Sequence, residues 1–315
     1  EENGGSPRRL YRWIKILGLL GLALVVIFGA LFITGKLLMN RLEPESDPRL
    51  LESWGPETSF LSTRSGEVHL LDIGEGEVVL LIHGSGRSVA DWQDGVAEKL
   101  AESYRVVAFD NYGFGLSERN HPGEYGNALW SRQAIDVLDA LEIERAVVLG
   151  HSAGAITAAI LAADYPERFR GVIFTGHGFA MDPAQLVPLI PGIGEFQLSQ
   201  VAVIGDTFSD RHREKAEAAY QIRGTRAAYL TFNRRQYTID GFRLIGGTYE
   251  DIKIPVLQMH GTRDESQSIK SSRDLSSRLL DTRFVAIDGS GHDIHIDAPD
   301  QWVDEVAKFA ASLPE

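Results

Sequence analysis

Three residues far apart in the chain have the types needed for nucleophilic catalysis: Ser152, Asp264 and His292. A serine hydroxyl is a poor nucleophile at neutral pH and needs an adjacent base. An imidazole acting as that base needs a carboxylate to hold its tautomer and stabilise its protonated form. Ser152 is the centre of Gly150-His151-Ser152-Ala153-Gly154. The apolar run Ala146-Val147-Val148-Leu149 leads into it and reads as a buried strand. A segment rich in alanine leads out of it and suits a helix packed closely on a sheet. A serine at such a turn has a strained backbone and an outward-facing hydroxyl, and the flanking glycines keep a Cβ from colliding with the neighbouring element. Alone, the pentapeptide is a modest signal, because an ordinary tight strand-to-helix junction also gathers small residues.

The surrounding elements strengthen it. Val78–Ile82 is an uninterrupted apolar strand that ends in His83-Gly84-Ser85-Gly86. Arg105–Phe109 is a second, ending at Asp110, and further strands fit residues 171–174, 254–259 and 283–287. Two more strand-like stretches, 59–63 and 68–73, precede them, and helices fit about 90–103, 127–141, 267–280 and 299–312. Uniformly apolar strands alternating with helices imply a parallel sheet covered on both faces. Asp264 follows the 254–259 strand in His260-Gly261-Thr262-Arg263-Asp264, and His292 follows the 283–287 strand in Gly289-Ser290-Gly291-His292. Catalytic groups of open α/β sheets gather at the carboxyl ends of strands, where all three residues fall. Glu265 and Asp288 compete with Asp264 for the role of acid, and His295 competes with His292 for that of base. Asp110 reads as a loop organiser, His83 and His151 as hydrogen-bonding residues beside the motifs, and Trp92 and Trp130 as core. His177 is left open between substrate contact and packing.

With the order Ser…Asp…His and these motifs, the sequence resembles the α/β-hydrolase family from about residue 57 to 313. His83-Gly84-Ser85-Gly86 resembles its oxyanion loop, and Asp110-x-x-Gly113-x-Gly115-x-Ser117 a second family motif. Ala155 stands where many relatives carry another glycine. The resemblance implies an α/β fold: a mostly parallel central sheet, helices on both faces and a lid inserted late in the sheet. It also implies Ser152, Asp264 and His292 as the triad, with the backbone amides of Ser85 and Ala153 as oxyanion donors. A serine at the elbow, rather than the aspartate of relatives that dehalogenate or open epoxides, points to acyl-type substrates.

Composition narrows the partners. The 315 residues carry a net charge of −13, which argues against nucleic acid. The absence of cysteine excludes disulfides and thiolate metal sites. No histidine–carboxylate spacing suggests a metal, and no cofactor is expected. Between Lys15 and Lys36 lie twenty uncharged residues, Ile16 to Gly35, enough helix to cross about 30 Å of hydrocarbon. Tyr11 and Trp13 suit an interfacial belt. The expected organisation is a basic segment (1–15), a transmembrane signal anchor (16–35), a linker (36–56) and a hydrolase domain (57–315) with its lid at about 178–250. Four basic residues precede the span and Lys36, Arg41 and Arg49 follow it, weakly favouring a catalytic domain on the non-cytoplasmic side.

The leading expectation is a membrane-anchored serine hydrolase of carboxylic esters, lipid-like ones included, working through an acyl-enzyme. The alternatives are a carbon–carbon bond hydrolase of the meta-cleavage type, an aminopeptidase, and a ligand receptor on the same fold that does not turn over.

Overall fold

The computed structural model describes residues 7–42, 54–93, 95–178, 186, 189–199, 210–236 and 247–314. Helix α1 runs Pro7–Leu42. The sheet is built from β1 (Thr58–Thr63), β2 (Gly66–Ile73), β3 (Val78–Ile82), β4 (Arg105–Phe109), β5 (Ala146–His151), β6 (Phe169–Thr175), β7 (Val256–Gly261) and β8 (Thr282–Ile287). Between and after the strands come α2 (Val96–Ala101), α3 (Asn127–Ala140), α4 (Ala153–Asp164), α5 (Ile193–Ser199), α6 (Asp210–Tyr220), α7 (Thr225–Gln236), α8 (Ile269–Ser276), α9 (Ile294–Asp297) and α10 (Pro299–Ser312).

The strand order is β1-β2-β4-β3-β5-β6-β7-β8. Only the pairings β1/β2 and β2/β4 are antiparallel, so the six strands from β4 to β8 in this order share one direction and one carboxyl edge. Alternation along β3 explains its unbroken apolar run. Val78, Leu80 and Ile82 enter the core on one face, and Val79 and Leu81 enter the core on the other. The first core holds Trp130, Phe174 and the alanines of α4, and the second holds Trp54, Trp92, Trp302 and Phe309.

Two expectations shift. The helix expected over 90–103 is shorter: a 3-10 turn, Val89–Asp91, precedes α2. Residues 36–42, read as linker, continue α1, because Lys36–Leu42 contains neither proline nor glycine to stop it. Residues 43–53 of that linker lie outside the described residues, as do Val187 and Pro188 of the early lid.

Helix α1 contains an apolar stretch, Tyr11–Leu38, long enough to cross a membrane or to serve as a signal sequence. Its second half lies against the lid segment around α5. A Cβ on Gly35 would stand 2.6 Å from the Phe196 amide nitrogen, and one on Gly192 the same distance from the Phe28 carbonyl oxygen. Two glycines therefore let the backbones meet. Next to this contact Glu195, 1 % exposed, accepts from the Gly192 amide and from Arg234 of α7. One ion pair thus ties α5 to α7 beneath α1. Leu186, Ile190 and Phe196 remain exposed in this part of the chain.

Trp302 is fully buried, stacked on Trp92 with ring centroids 6.0 Å apart. Trp302→Ala should lower unfolding free energy by about 3–5 kcal/mol, read by urea denaturation in detergent solution.

Candidate active site

The elbow is held by close approach. Ser152 has φ 52° and ψ −117°, a conformation rare for any residue with a side chain. A Cβ on Gly150 would run into the Gly154 carbonyl, and one on Gly154 into the carbonyls of Ile82 and His83. The two glycines expected from the pentapeptide are therefore required, one by the turn and the other by helix-to-sheet packing. The Ser152 amide donates to the Thr175 carbonyl at 2.9 Å, pinning the turn to β6.

Ser152, Asp264 and His292 meet at the carboxyl edge. His292 Nε2 lies 3.0 Å from Ser152 Oγ, and His292 Nδ1 lies 2.8 Å from Asp264 Oδ2. A carboxylate only accepts, so Nδ1 carries the proton and Nε2 is the acceptor that faces the serine hydroxyl. The Asp264 side chain is fully buried, and its Oδ1 accepts from the amides of Ser266 and Gln267. Its rivals are elsewhere: Glu265 is exposed, and Asp288 is exposed and bonded to Thr262. His295 is packed between Trp92, at 4.7 Å between ring centroids, and His151, at 4.8 Å.

The other motif residues have structural partners. Asp110 accepts from the amides of Val89 and Leu116 and from His69 Nδ1, each at 2.7 Å, and a Cβ on Gly115 would overlap its carboxyl. Ser117 Oγ accepts from the His69 amide. The Asp-x-x-Gly-x-Gly-x-Ser pattern is thus one loop folded around one carboxylate. His83 bonds the Gly84 carbonyl and accepts from the Asn111 amide. His177 is bonded to Tyr249 at 2.6 Å and held neutral, its pKa pushed down to about 3 by burial and by His260 and His292. It reads as packing rather than as a substrate contact.

The oxyanion loop backs directly onto the elbow. A Cβ on Gly84 would stand 3.2 Å from Ser152 Cβ, so the loop that carries Ser85 runs against the elbow. The Ala153 amide opens α4, where unpaired N–H groups and the helix dipole favour negative charge. The arrangement can therefore add a serine oxygen to a carbonyl and hold the resulting oxyanion between two amides. From the lid, Tyr229 of α7 reaches the Ser85 and Asn233 side chains, and burial raises its hydroxyl pKa against those two bonds.

Three groups escaped the motif reading. His260 Nε2 bonds the Gln267 carbonyl at 2.8 Å and stands 3.4 Å from Asp264 Oδ2. Arg87 and Asp293 form a buried ion pair at 2.5 Å. Asp293 adjoins the base and Arg87 adjoins the oxyanion loop, which was the only sequence signal. Asp91, 3.4 Å from Arg87, is pushed up to about 7 by burial, with Arg87 opposing and Asp293 adding to the rise.

Folded Asp91 thus keeps its proton to about pH 7, whereas an unfolded aspartate releases it near ~3.9. Its contribution to stability is full below the unfolded value and is lost as pH rises through about 7. Asp91→Asn should remove that loss, so its melting temperature should gain on the wild type between pH 5 and 8 by thermal scan. The buried histidines, whose pKa values burial lowers, act with the opposite sign and cancel in this difference. An unchanged difference across that window would place Asp91 outside the titrating groups.

Residues 79–305 match the sequence profile of the alpha/beta hydrolase family. A 2-hydroxymuconate semialdehyde hydrolase of Pseudomonas sp. (strain CF600) is 30% identical over 255 residues, 77% of this chain and 90% of that protein. The enol-lactonase of Burkholderia xenovorans LB400 superposes with a TM-score of 0.65 at 20% identity, covering 81% of this chain and all of its own. A membrane phospholipase A described as a bacterial virulence factor superposes at 0.62 and 22% identity, covering 94% of this chain and 98% of its own. With the profile spanning most of the sheet and both ends of the candidate triad, this chain belongs to the alpha/beta hydrolase family.

Proposed function

We propose that the chain hydrolyses a carbonyl substrate through an acyl-enzyme on Ser152, and that the bond cleaved is the carbon–carbon bond beside the ketone or aldehyde of a meta-cleavage type substrate. The observation that carries the choice of bond is the 30% identity to the Pseudomonas hydrolase along 90% of that protein's length. A second relative, 28% identical over 93% of its own length, is a 2-hydroxy-6-oxo-2,4-heptadienoate hydrolase. This reading replaces the ester as the leading substrate class.

The chemistry follows from the geometry. Ser152 Oγ adds to the carbonyl carbon while its proton passes to His292 Nε2, 3.0 Å away. Asp264 holds His292 Nδ1–H and stabilises the imidazolium. The amides of Ser85 and Ala153 take the oxyanion. In the substrate's 2-keto tautomer, reached when the 2-hydroxyl proton moves to the carbon beside the reacting carbonyl, collapse of the tetrahedral species breaks the carbon–carbon bond, the electron pair passes through the alkene onto the 2-keto oxygen as a dienolate, and His292 returns its proton to that oxygen. Water, deprotonated by His292, then releases the acyl group.

A carboxylic ester, lipid-like ones included, is the second reading, and a separate observation favours it. An apolar helix of membrane-spanning length rests on the lid segment that also carries exposed Leu186, Ile190 and Phe196. In this reading α1 anchors the enzyme to a membrane. The acyl-enzyme steps are the same, with an alkoxide as the leaving group in place of the dienolate.

A 2-hydroxy-6-oxo-dienoate and a panel of p-nitrophenyl esters and monoacylglycerols separate the two. The first reading expects kcat/KM on the dienoate to exceed that on any ester. Ester turnover with an inert dienoate would overturn it. Ser152→Ala, Asp264→Asn and His292→Ala should each reduce kcat by about 10³-fold or more, and the losses should not multiply in combination. His295→Ala should keep the rate within about one order of magnitude.

Ser85→Ala should leave kcat nearly unchanged, because the amide is the donor. Ser85→Pro removes that amide and should lower kcat by about 10²–10³-fold, measured on folded protein by stopped assay.

A further inference from the structure

Behind the candidate triad, three loops that carry different catalytic parts converge on one carboxylate. Asp293 follows the base His292. Its Oδ2 accepts from Arg87 Nη2 at 2.5 Å, across 206 residues of chain, and both side chains are about 95% buried. Arg87 lies two residues past Ser85 and closes the oxyanion loop with a bond from its amide to the Gly84 carbonyl at 3.3 Å. Asp293 Oδ1 lies 3.4 Å from His151 Nε2, and the same nitrogen lies 3.2 Å from the His292 carbonyl. A carbonyl only accepts, so His151 Nε2 carries its proton and reaches both groups. His151 is the residue before Ser152.

We propose that Arg87 and Asp293 are a positioning pair: they hold the Ser85 amide of the oxyanion loop in register with the Ser152 elbow and the His292 loop. This inference rests on the triad reading above. Oxyanion donors act only within a few tenths of an ångström of their place, and a displacement of about 1 Å can cost about 10² in rate. Neither residue faces the reacting atoms, so the pair acts through backbone.

A buried ion pair is not by itself a stabilising device. Its desolvation cost approaches or exceeds the attraction, and apolar replacements of similar volume are often neutral for folding. That makes placement the better account of this one. A bound divalent cation is the competing account, since His151, Asp293 and His295 offer ligand atoms within 4.8 Å of one another. Arg87 already pairs with Asp293 at that point, and its permanent charge opposes a second cation there.

The test uses the full chain in detergent with p-nitrophenyl butyrate, an activated ester that both substrate readings allow. Asp293→Asn keeps the shape and removes the charge. Arg87→Met combined with Asp293→Leu replaces the pair by apolar groups. Both proteins should melt within a few degrees of the wild type or be compared at a temperature where each is folded. Each should lose about 30- to 100-fold in kcat with KM changed less than threefold, and should bind an aryl trifluoromethyl ketone, whose hemiketal oxyanion needs the same amides, weaker by a similar factor. The double variant should be no slower than Asp293→Asn. If folded Arg87→Met/Asp293→Leu keeps wild-type kcat and inhibitor affinity, the pair serves folding alone and the inference is overturned. Ser152→Ala runs beside them: its inactivity with active pair variants rejects only the positioning role, whereas its activity rejects the triad itself. Tighter inhibition of the wild type by added EDTA than of Asp293→Asn would assign the carboxylate to a cation instead.

Discussion

The arrangement depends on one backbone constraint, the positive φ of Ser152 between two glycines that cannot be larger. That turn lifts the hydroxyl out of the β5 edge and starts α4 in the same step. It is held because Gly154 lies on the Ile82 and His83 carbonyls and Gly150 lies on the Gly154 carbonyl. Strain of this kind costs about 1–3 kcal/mol and persists only where the surroundings over-determine it. Here the surroundings are the central strands β3 and β5, buried on both faces. The stiffness of the apolar core is therefore what keeps the nucleophile exposed.

Around that turn, charge is distributed unequally. In front, His292 is a fifth exposed and faces both Ser152 and Asp264. Behind, His151, His295, Arg87, Asp91 and Asp293 are buried together. Burial lowers the pKa of His151 well below its ordinary value, and the neighbouring His295 adds to this. It raises that of Asp91. Both groups are pushed toward neutrality, so the charge that remains behind the site is concentrated in Arg87 and Asp293.

The lid joins this machinery to the rest of the molecule at two points. Tyr229 of α7 reaches the oxyanion loop, and the Glu195–Arg234 pair ties α7 to α5 beneath α1. Contacts therefore run from the apolar helix through α5 and α7 to the Ser85 side chain.

Local chemistry made much of this legible in advance. The alternation of strand and helix, the glycines at 150 and 154, and the order Ser152, Asp264, His292 all follow from nearest-neighbour sterics and from the period of apolar residues. So does the placement of His292, rather than His295, beside Ser152, since only the former follows the glycine turn after β8. The strand order was not legible, because it depends on pairings between distant segments. The same holds for the lid, whose polar and apolar residues answer to α1 and α7 rather than to their own period, whereas the helical course of residues 36–42 has a local cause, since no proline or glycine stops a helix that has already begun. Bond specificity was also not legible, since a triad attacks any suitably held carbonyl. The sequence alone determined which residues could do chemistry and at which strand ends they lie. Only the tertiary structure decided that Arg87 and Asp293, 206 residues apart, meet behind them, because a buried charge finds its partner through space and leaves no periodicity along the chain.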